Sequence, residues 1–523
     1  VRGYLQTYIE MVRTDAINHV NADGIYTIVF PVRDYIIKTY IKEDHLKLDI
    51  SSLMPHLSGV QFNFIGIKIG FQNNGELAAL SQAAQINLIN TNLVSTGIQQ
   101  NNINSPNYLA SVNPTTMPKW IWKPMNNGDK ANSQLFCLFN SITLGVIDNN
   151  SVNFMGIEVQ GEAYNQWSNL IPHPYMNTTG NMYSVIKAFM WDNLYIDNNH
   201  FHDHYGQGLF IAYIPYGNPN YVDCYYQNHT MEINNNIIRN IYGFNPAPPS
   251  PFVIYDDGGD GIGITGVRGA VIEKNIVYND MAMTGMCGRL GIGGESFGDC
   301  VIKNNMLHGY NRIFHIEADY GNNIFQQNRC TGSFCHVITS YGAVLTPQPD
   351  IITQNYFSNE NIPADNILQP WQWGGIIGNV PVDHYLSDAL NWSYGKEGMI
   401  YFYKPSITKS GTTILHNQFF IDASSGTNTA TLARRFFYYN AANHTIDYDL
   451  NLRIYCNTFT HNHTNTPLYN PYGIVMENPN NNFIKIKEFY GNTIDNSWGS
   501  AFIGAVPFSN DINYFHSNQV LGG

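Results

Sequence analysis

Charge is what this sequence has least of. Asp, Glu, Lys and Arg together make up 12% of its 523 residues, about half of the ~25% of an average globular protein. Lys and Arg number 26 against 39 acidic residues, a formal net charge of -13. Phosphate contacts need clustered cations, so nucleic acid and anionic membrane surfaces are disfavoured as partners. An acidic polysaccharide is not, because one local cation serves one sugar carboxylate. No apolar run reaches the roughly 18 residues of a membrane-spanning helix, and no signal peptide is visible. The seven cysteines are odd in number and form no CxxC pair, so neither a disulfide framework nor a zinc site is indicated. Buried free thiols are expected, which suits folding in a reducing cytoplasm. Tyr, by contrast, is plentiful at 35, and aromatics reach 14%. With abundant Asn, Gly and Thr, that composition points to β-structure rather than helix.

One short pattern recurs along the chain: Asn, any residue, then an apolar residue. It appears as IDNNHF at Asn199, INNNII at Asn236, IEKNIV at Asn275, IKNNML at Asn305, QQNRC at Asn328 and TQNYF at Asn355. Later copies are LHNQF at Asn417, YCNTF at Asn457, YGNTI at Asn492 and HSNQV at Asn518. The closest copies approach the length of one bare solenoid coil, and the wider gaps are coils carrying inserted loops. Asn suits a tight bend between strands because it tolerates left-handed or bridge conformations. Stacked Asn side chains also hydrogen-bond as a ladder. Asn-rich low complexity fails as an alternative, because Ile, Val and Phe hold fixed offsets after each Asn. A second repeat ends in an aromatic-Gly pair: IAYIPYG (211–217), IGGESFG (292–298), IEADYG (316–321) and VITSYG (337–342). These repeats predict an all-β right-handed parallel β-helix.

Residues 1–60 read as a capping region, with a strand, a Pro turn and a second strand in YTIVFPVRDYII (26–37). Residues 61–523 read as the β-helix, with loop insertions at 77–150, 244–259 and 359–410. The Ala/Gln/Asn-rich stretch 77–105 is either helical or an excursion from the coils.

Strand alternation places Phe314, Ile316 and Ala318 inward and His315, Glu317 and Asp319 outward. Aligning the next coil by its Tyr-Gly pair sets His336 beside His315 and Ser340 beside Asp319. In the preceding coil Leu290 and Ile292 point inward, Arg289 and Glu295 outward. Matching Ile292 to Ile316 sets Glu295 over Asp319. One coil earlier, Asp260 opens the strand DGIGIT. Neighbouring coils thus gather Asp260, Arg289, Glu295, His315, Glu317, Asp319 and His336 on one surface. Strands lie ~4.8 Å apart, so carboxylates one coil apart sit ~5 Å from each other and diagonal pairs ~7–8 Å. Those are the separations used by retaining and inverting glycosidases, and such proximity leaves one acid and one base. Glu295, Glu317, Asp319 and Asp260 are therefore the candidate catalytic carboxylates; ordinary polar residues on a solvated sheet are the competing reading. Arg289, His315 and His336, with the aromatics Tyr213, Trp371 and Trp373, are candidates to hold sugar. His200, His202 and His204 alternate along NNHFHDHYG (198–206), but Asn and Asp surround them at a turn. No metal and no cofactor are expected.

The Asn-ladder coils, the motif IVFPVRDYII and the segment DGIGITG…AVIEKNIV resemble the pectate-lyase-like β-helix superfamily. Its opening motif is a Phe-Pro-x-Gly-x-Tyr pattern, and Arg33 stands here in place of the Gly. Within the superfamily, the Asn- and Tyr-rich composition and large loops resemble bacteriophage tailspikes that cleave capsular polysaccharide. That resemblance implies a homotrimer in a virion tail, acting at the host cell surface on a bacterial polysaccharide. It implies attachment to other tail proteins through a segment preceding Val1, with no nucleic acid bound and no membrane inserted. Three activities stay open: an endo-glycosidase with paired carboxylates, a polysaccharide lyase acting by β-elimination, and a non-catalytic adhesin.

Overall fold

In a computed structural model the chain forms two compact units, Val1–Tyr242 with Thr265–Val277, and Gly243–Ile264 with Tyr278–Gly523. The structure describes residues 2–20, 24–39, 45–51, 56–70, 75–98, 112, 116–124, 135–143, 146–161, 184–213, 229–244, 259–279, 286–317, 319–333, 335–340, 348–358, 360, 376–377, 380–381, 399–403, 411–421, 435–440, 452–461, 472–477, 486–495, 502–503 and 514–521. Each unit is a right-handed parallel β-helix, with three strands per coil contributing to three stacks, here A, B and C. Among the described residues, no helix is long and apolar enough to cross a membrane.

In the first unit, stack A runs through Ile25–Phe30, Gln61–Gly66, Ser151–Met155, Asn193–Asp197, Thr230–Asn234 and Val271–Glu273, each paired parallel with the next. The inward column of Phe154, Ile196, Ile233 and Ile272 is fully buried. Burying each such side chain is worth about 1.5–3 kcal/mol. Trp120, Phe64, Phe136 and Phe154 meet edge-on or tilted, with centroids 4.9–6.4 Å apart. The helix Arg2–Asn18 buries Leu5, Ile9 and Ala16. Its Gln6 amide accepts from Lys47 N at 2.9 Å and donates to Lys47 O at 3.1 Å. Gln6 thus pairs with an edge strand that would otherwise present bare backbone groups. Phe30-Pro31 leads into Tyr35, whose hydroxyl donates to Pro31 O, with the Arg33 guanidinium over the Tyr35 ring. The stretch after residue 75 holds two helices, Gly75–Ala78 and Gln82–Thr91.

In the second unit, stack A comprises Val301–Lys303, Ile324–Gln326, Ile351–Thr353, Thr413–Leu415, Leu452–Tyr455, Ile486–Tyr490 and Tyr514–His516. Phe357, Phe419 and Phe459 stack up the core at 5.3 and 4.9 Å.

Both units carry an asparagine ladder. In the first, Asn236 Oδ1 accepts from Asn199 N and Asn199 Nδ2, while Asn199 Nδ2 also donates to Phe154 O. Asn275 treats Asn236 likewise. In the second, the same contacts link Asn305, Asn328, Asn355, Asn417, Asn457, Asn492 and Asn518. The left-handed residue at this corner is not the ladder Asn but the one before it. Asn198, Asn235, Lys274, Asn304, Gln327, Gln354, His416, Cys456 and Ser517 all have φ between 54° and 57°. The ladder Asn is retained for its hydrogen bonds, not its dihedrals. Cys137, Cys300 and Cys330 are buried free thiols, whereas Cys456 is exposed at one of these corners.

Candidate active site

Stack C of the second unit brings the outer-face carboxylates together. Strand Met286–Glu295 pairs parallel with Tyr310–Glu317, setting Ile292 against Phe314, Gly294 against Ile316 and Glu295 against Glu317. Ile292, Phe314 and Ile316 anchor both strands in the core. At the strand ends Glu295 and Glu317 are exposed, the Glu317 side chain at 53%. Backbones ~4.8 Å apart set the Cβ atoms of these two glutamates about 5 Å from each other. Gly293 bears no side chain beside His315, its register partner.

Behind the pair runs a directed chain of contacts. Arg312 Nη1 lies 3.1 Å from His315 Nδ1, and His315 Nε2 lies 3.1 Å from Glu317 Oε1. A guanidinium only donates, so Nδ1 is the acceptor and Nε2 carries the proton facing Glu317. Arg312 and His315 are both buried. Sequence alternation missed Arg312, because it shares its parity with the inward Phe314 and Ile316.

Several expected positions are corrected. Asp319 is fully buried and does not line the outer face: its Oδ1 accepts from Gly321 N at 2.7 Å and Asn323 Nδ2 at 2.9 Å. The strand ends at Glu317, so alternation has no hold two residues later. Glu295 therefore faces Glu317 rather than Asp319. Asp260 is buried at 4% exposure, on the parity of the core residues Ile262 and Ile264. Tyr213 is a core residue of the first unit, stacked on His229 at 4.3 Å, with its hydroxyl donating to Trp191 O. His315 pairs with Ile338, not His336. The Tyr-Gly alignment was the cause: Gly298 does bridge Gly321, but the next coil meets the Tyr320-Gly321 corner through Gln348, whose N–H donates to Tyr320 O. The strand Met286–Glu295 includes Arg289 and the strand Cys335–Ser340 includes His336, but their side chains lie outside the described residues, as do Trp371 and Trp373 altogether. Among the described residues, the three-ligand group able to hold a metal ion lies in the first unit, at Glu158, His200 and His202.

No family model and no curated protein matches the chain by sequence. Solved structures similar to it include DFA-IIIase from Arthrobacter chlorophenolicus A6 without its lid, in complex with GF2. That structure is 12% identical, with 99% of this chain and 94% of that chain covered and a TM-score of 0.46. The A-module of the mannuronan C-5 epimerase AlgE6 from Azotobacter vinelandii is also 12% identical, covering 98% and 95%, with a TM-score of 0.43. At these values the assignment of the fold rests on the strand register and the ladders themselves, and the site on its own geometry.

Proposed function

We propose that this chain is a polysaccharide-processing enzyme, a glycoside hydrolase that cleaves a bacterial capsular or other surface polysaccharide with Glu295 and Glu317. The observation that carries this reading is their direct register pairing on an exposed face. Like charges on adjacent rungs disfavour each other's ionised form, which sets apart an acid and a base. Their surroundings divide the roles. Glu317 accepts from His315, which favours its ionised form, so it is the nucleophile or base. Glu295, on the adjacent rung, takes the role of acid toward the glycosidic oxygen. Carboxylates on adjacent rungs suit a retaining pathway, which uses groups ~5–5.5 Å apart. Arg312 and His315 are positioning residues that aim and ionise Glu317.

The lyase reading is less well supported. Its base would be His315, His336 or a Tyr, with Arg289 neutralising a uronate carboxylate; of these, His315 has Nδ1 taken by Arg312 and a proton on Nε2. The biological setting is the one the resemblance implies, a homotrimeric tailspike acting at the bacterial surface. Product chemistry tests the reaction class. Incubation with a panel of purified capsular polysaccharides is expected to release fragments with new reducing ends and retained anomeric configuration. Fragments carrying an unsaturated sugar would replace the hydrolase with the lyase.

A further inference from the structure

On the stack B face of the first unit, Glu158 pairs with His200 and Gln160 with His202 across adjacent parallel strands. The two imidazoles, two residues apart on one strand, stack with centroids 4.4 Å apart. One ligand atom each from Glu158, His200 and His202 lies within 4.8 Å of the others. We propose that these three residues bind a Zn2+ ion, with a coordination position left open to water.

Three further observations support it. His202 Nδ1 lies 2.9 Å from Asp203 Oδ2, which turns Nε2 toward Glu158 Oε1 at 3.0 Å. A carboxylate on the far nitrogen is what orients and strengthens a metal-bound histidine. Both ring nitrogens of His202 therefore face carboxylate oxygens, and without the ion a proton must stand between Nε2 and Glu158; the ion would take that place. Second, His200 Nε2 is buried without a hydrogen-bond partner, a costly arrangement that coordination relieves. Third, the backbone fixes the triad. Asp203 is left-handed, at φ 52°, and ends the alternation there. His204 consequently turns away to stack on Trp122, leaving His200 and His202 on the Glu158 side. Gly161 permits the corner, since a Cβ there would meet Asp203 O at 2.5 Å. Lys119, 2.9 Å from Glu158 Oε1, gives way on binding, being long and partly exposed.

Two imidazoles and a carboxylate suit zinc rather than Mg2+ or Ca2+. The full chain, stripped with EDTA, would be titrated with Zn2+ by calorimetry and with Co2+ by visible absorption. One equivalent should bind, Mg2+ and Ca2+ should not compete, and zinc should raise the melting midpoint. H200Q and E158Q should each weaken binding ~100-fold or more, and D203N ~10–100-fold. In EDTA, H200Q should melt and show circular dichroism like the wild type, which separates a lost ligand from a lost fold. Absence of stoichiometric binding would leave only a buried ion-pair cluster and overturn the site. Unchanged affinity in both H200Q and E158Q would place the ion elsewhere and overturn it equally.

Discussion

The acidic side chains of stack C in the second unit differ in what they touch. Glu295 and Glu317 are exposed register partners, whereas Asp319 spends its carboxylate on two buried N–H groups. Glu317→Gln or Glu295→Gln should therefore cost 10²-fold or more in turnover, with the melting midpoint nearly unchanged. Asp319→Ala should do the reverse. It leaves buried donors unpaired at a cost of about 2–4 kcal/mol, yet keeps near-wild-type turnover while folded. Equal activity losses in all three variants, measured alongside thermal melts, would contradict this division. Arg312→Met should lower kcat while leaving substrate affinity largely intact, because Arg312 acts through His315. The exposed place of Glu317 was legible in the sequence, whereas His315, expected on the outer face, is buried. Asp319 was not legible, since alternation gives no sign of where a strand ends. Nor was Glu158, which reaches the histidines only through a register set 42 residues away.

At the scale of the coil, the ladder and its corner separate two roles in neighbouring residues. Asn417 Oδ1 accepts from Asn355 N and Nδ2, and its own Nδ2 donates to Ile352 O. Asn417→Ala should destabilise by about 2–4 kcal/mol, because several buried groups lose partners together. His416 is exposed with φ 56°, a conformation that strains any residue with a Cβ. His416→Gly should stabilise by about 0.5–1 kcal/mol after the entropy cost of glycine. Denaturant midpoints moving in opposite directions would bear this out; a loss at both positions would show that the corner depends on the His416 side chain. The ladder was readable because it recurs at one place in every coil. The strand register was not, because residues inserted between a strand end and the next corner shift one against the other without a mark in the repeat.

For the whole molecule, assembly and activity belong to one proposal. The C-terminal coils carry apolar runs such as FFYYN (436–440) and AFIGAVPF (501–508). A solenoid so rich in Phe, Tyr and Ile and so poor in Lys and Arg is better suited to side-by-side packing under closed symmetry than to isolation in water. Sedimentation at micromolar concentration should give a homotrimer of about 177 kDa, three times the 59.0 kDa chain; a single 59.0 kDa species would remove the tailspike setting. The most direct test of the catalytic pair is the molar mass of purified capsular polysaccharides, followed by light scattering during incubation with the wild-type chain and with Glu317→Gln. A steep fall in mass is expected for at least one polymer with the wild type, and almost none with the variant. An equal fall with both, or no fall across the panel with the wild type, would contradict it.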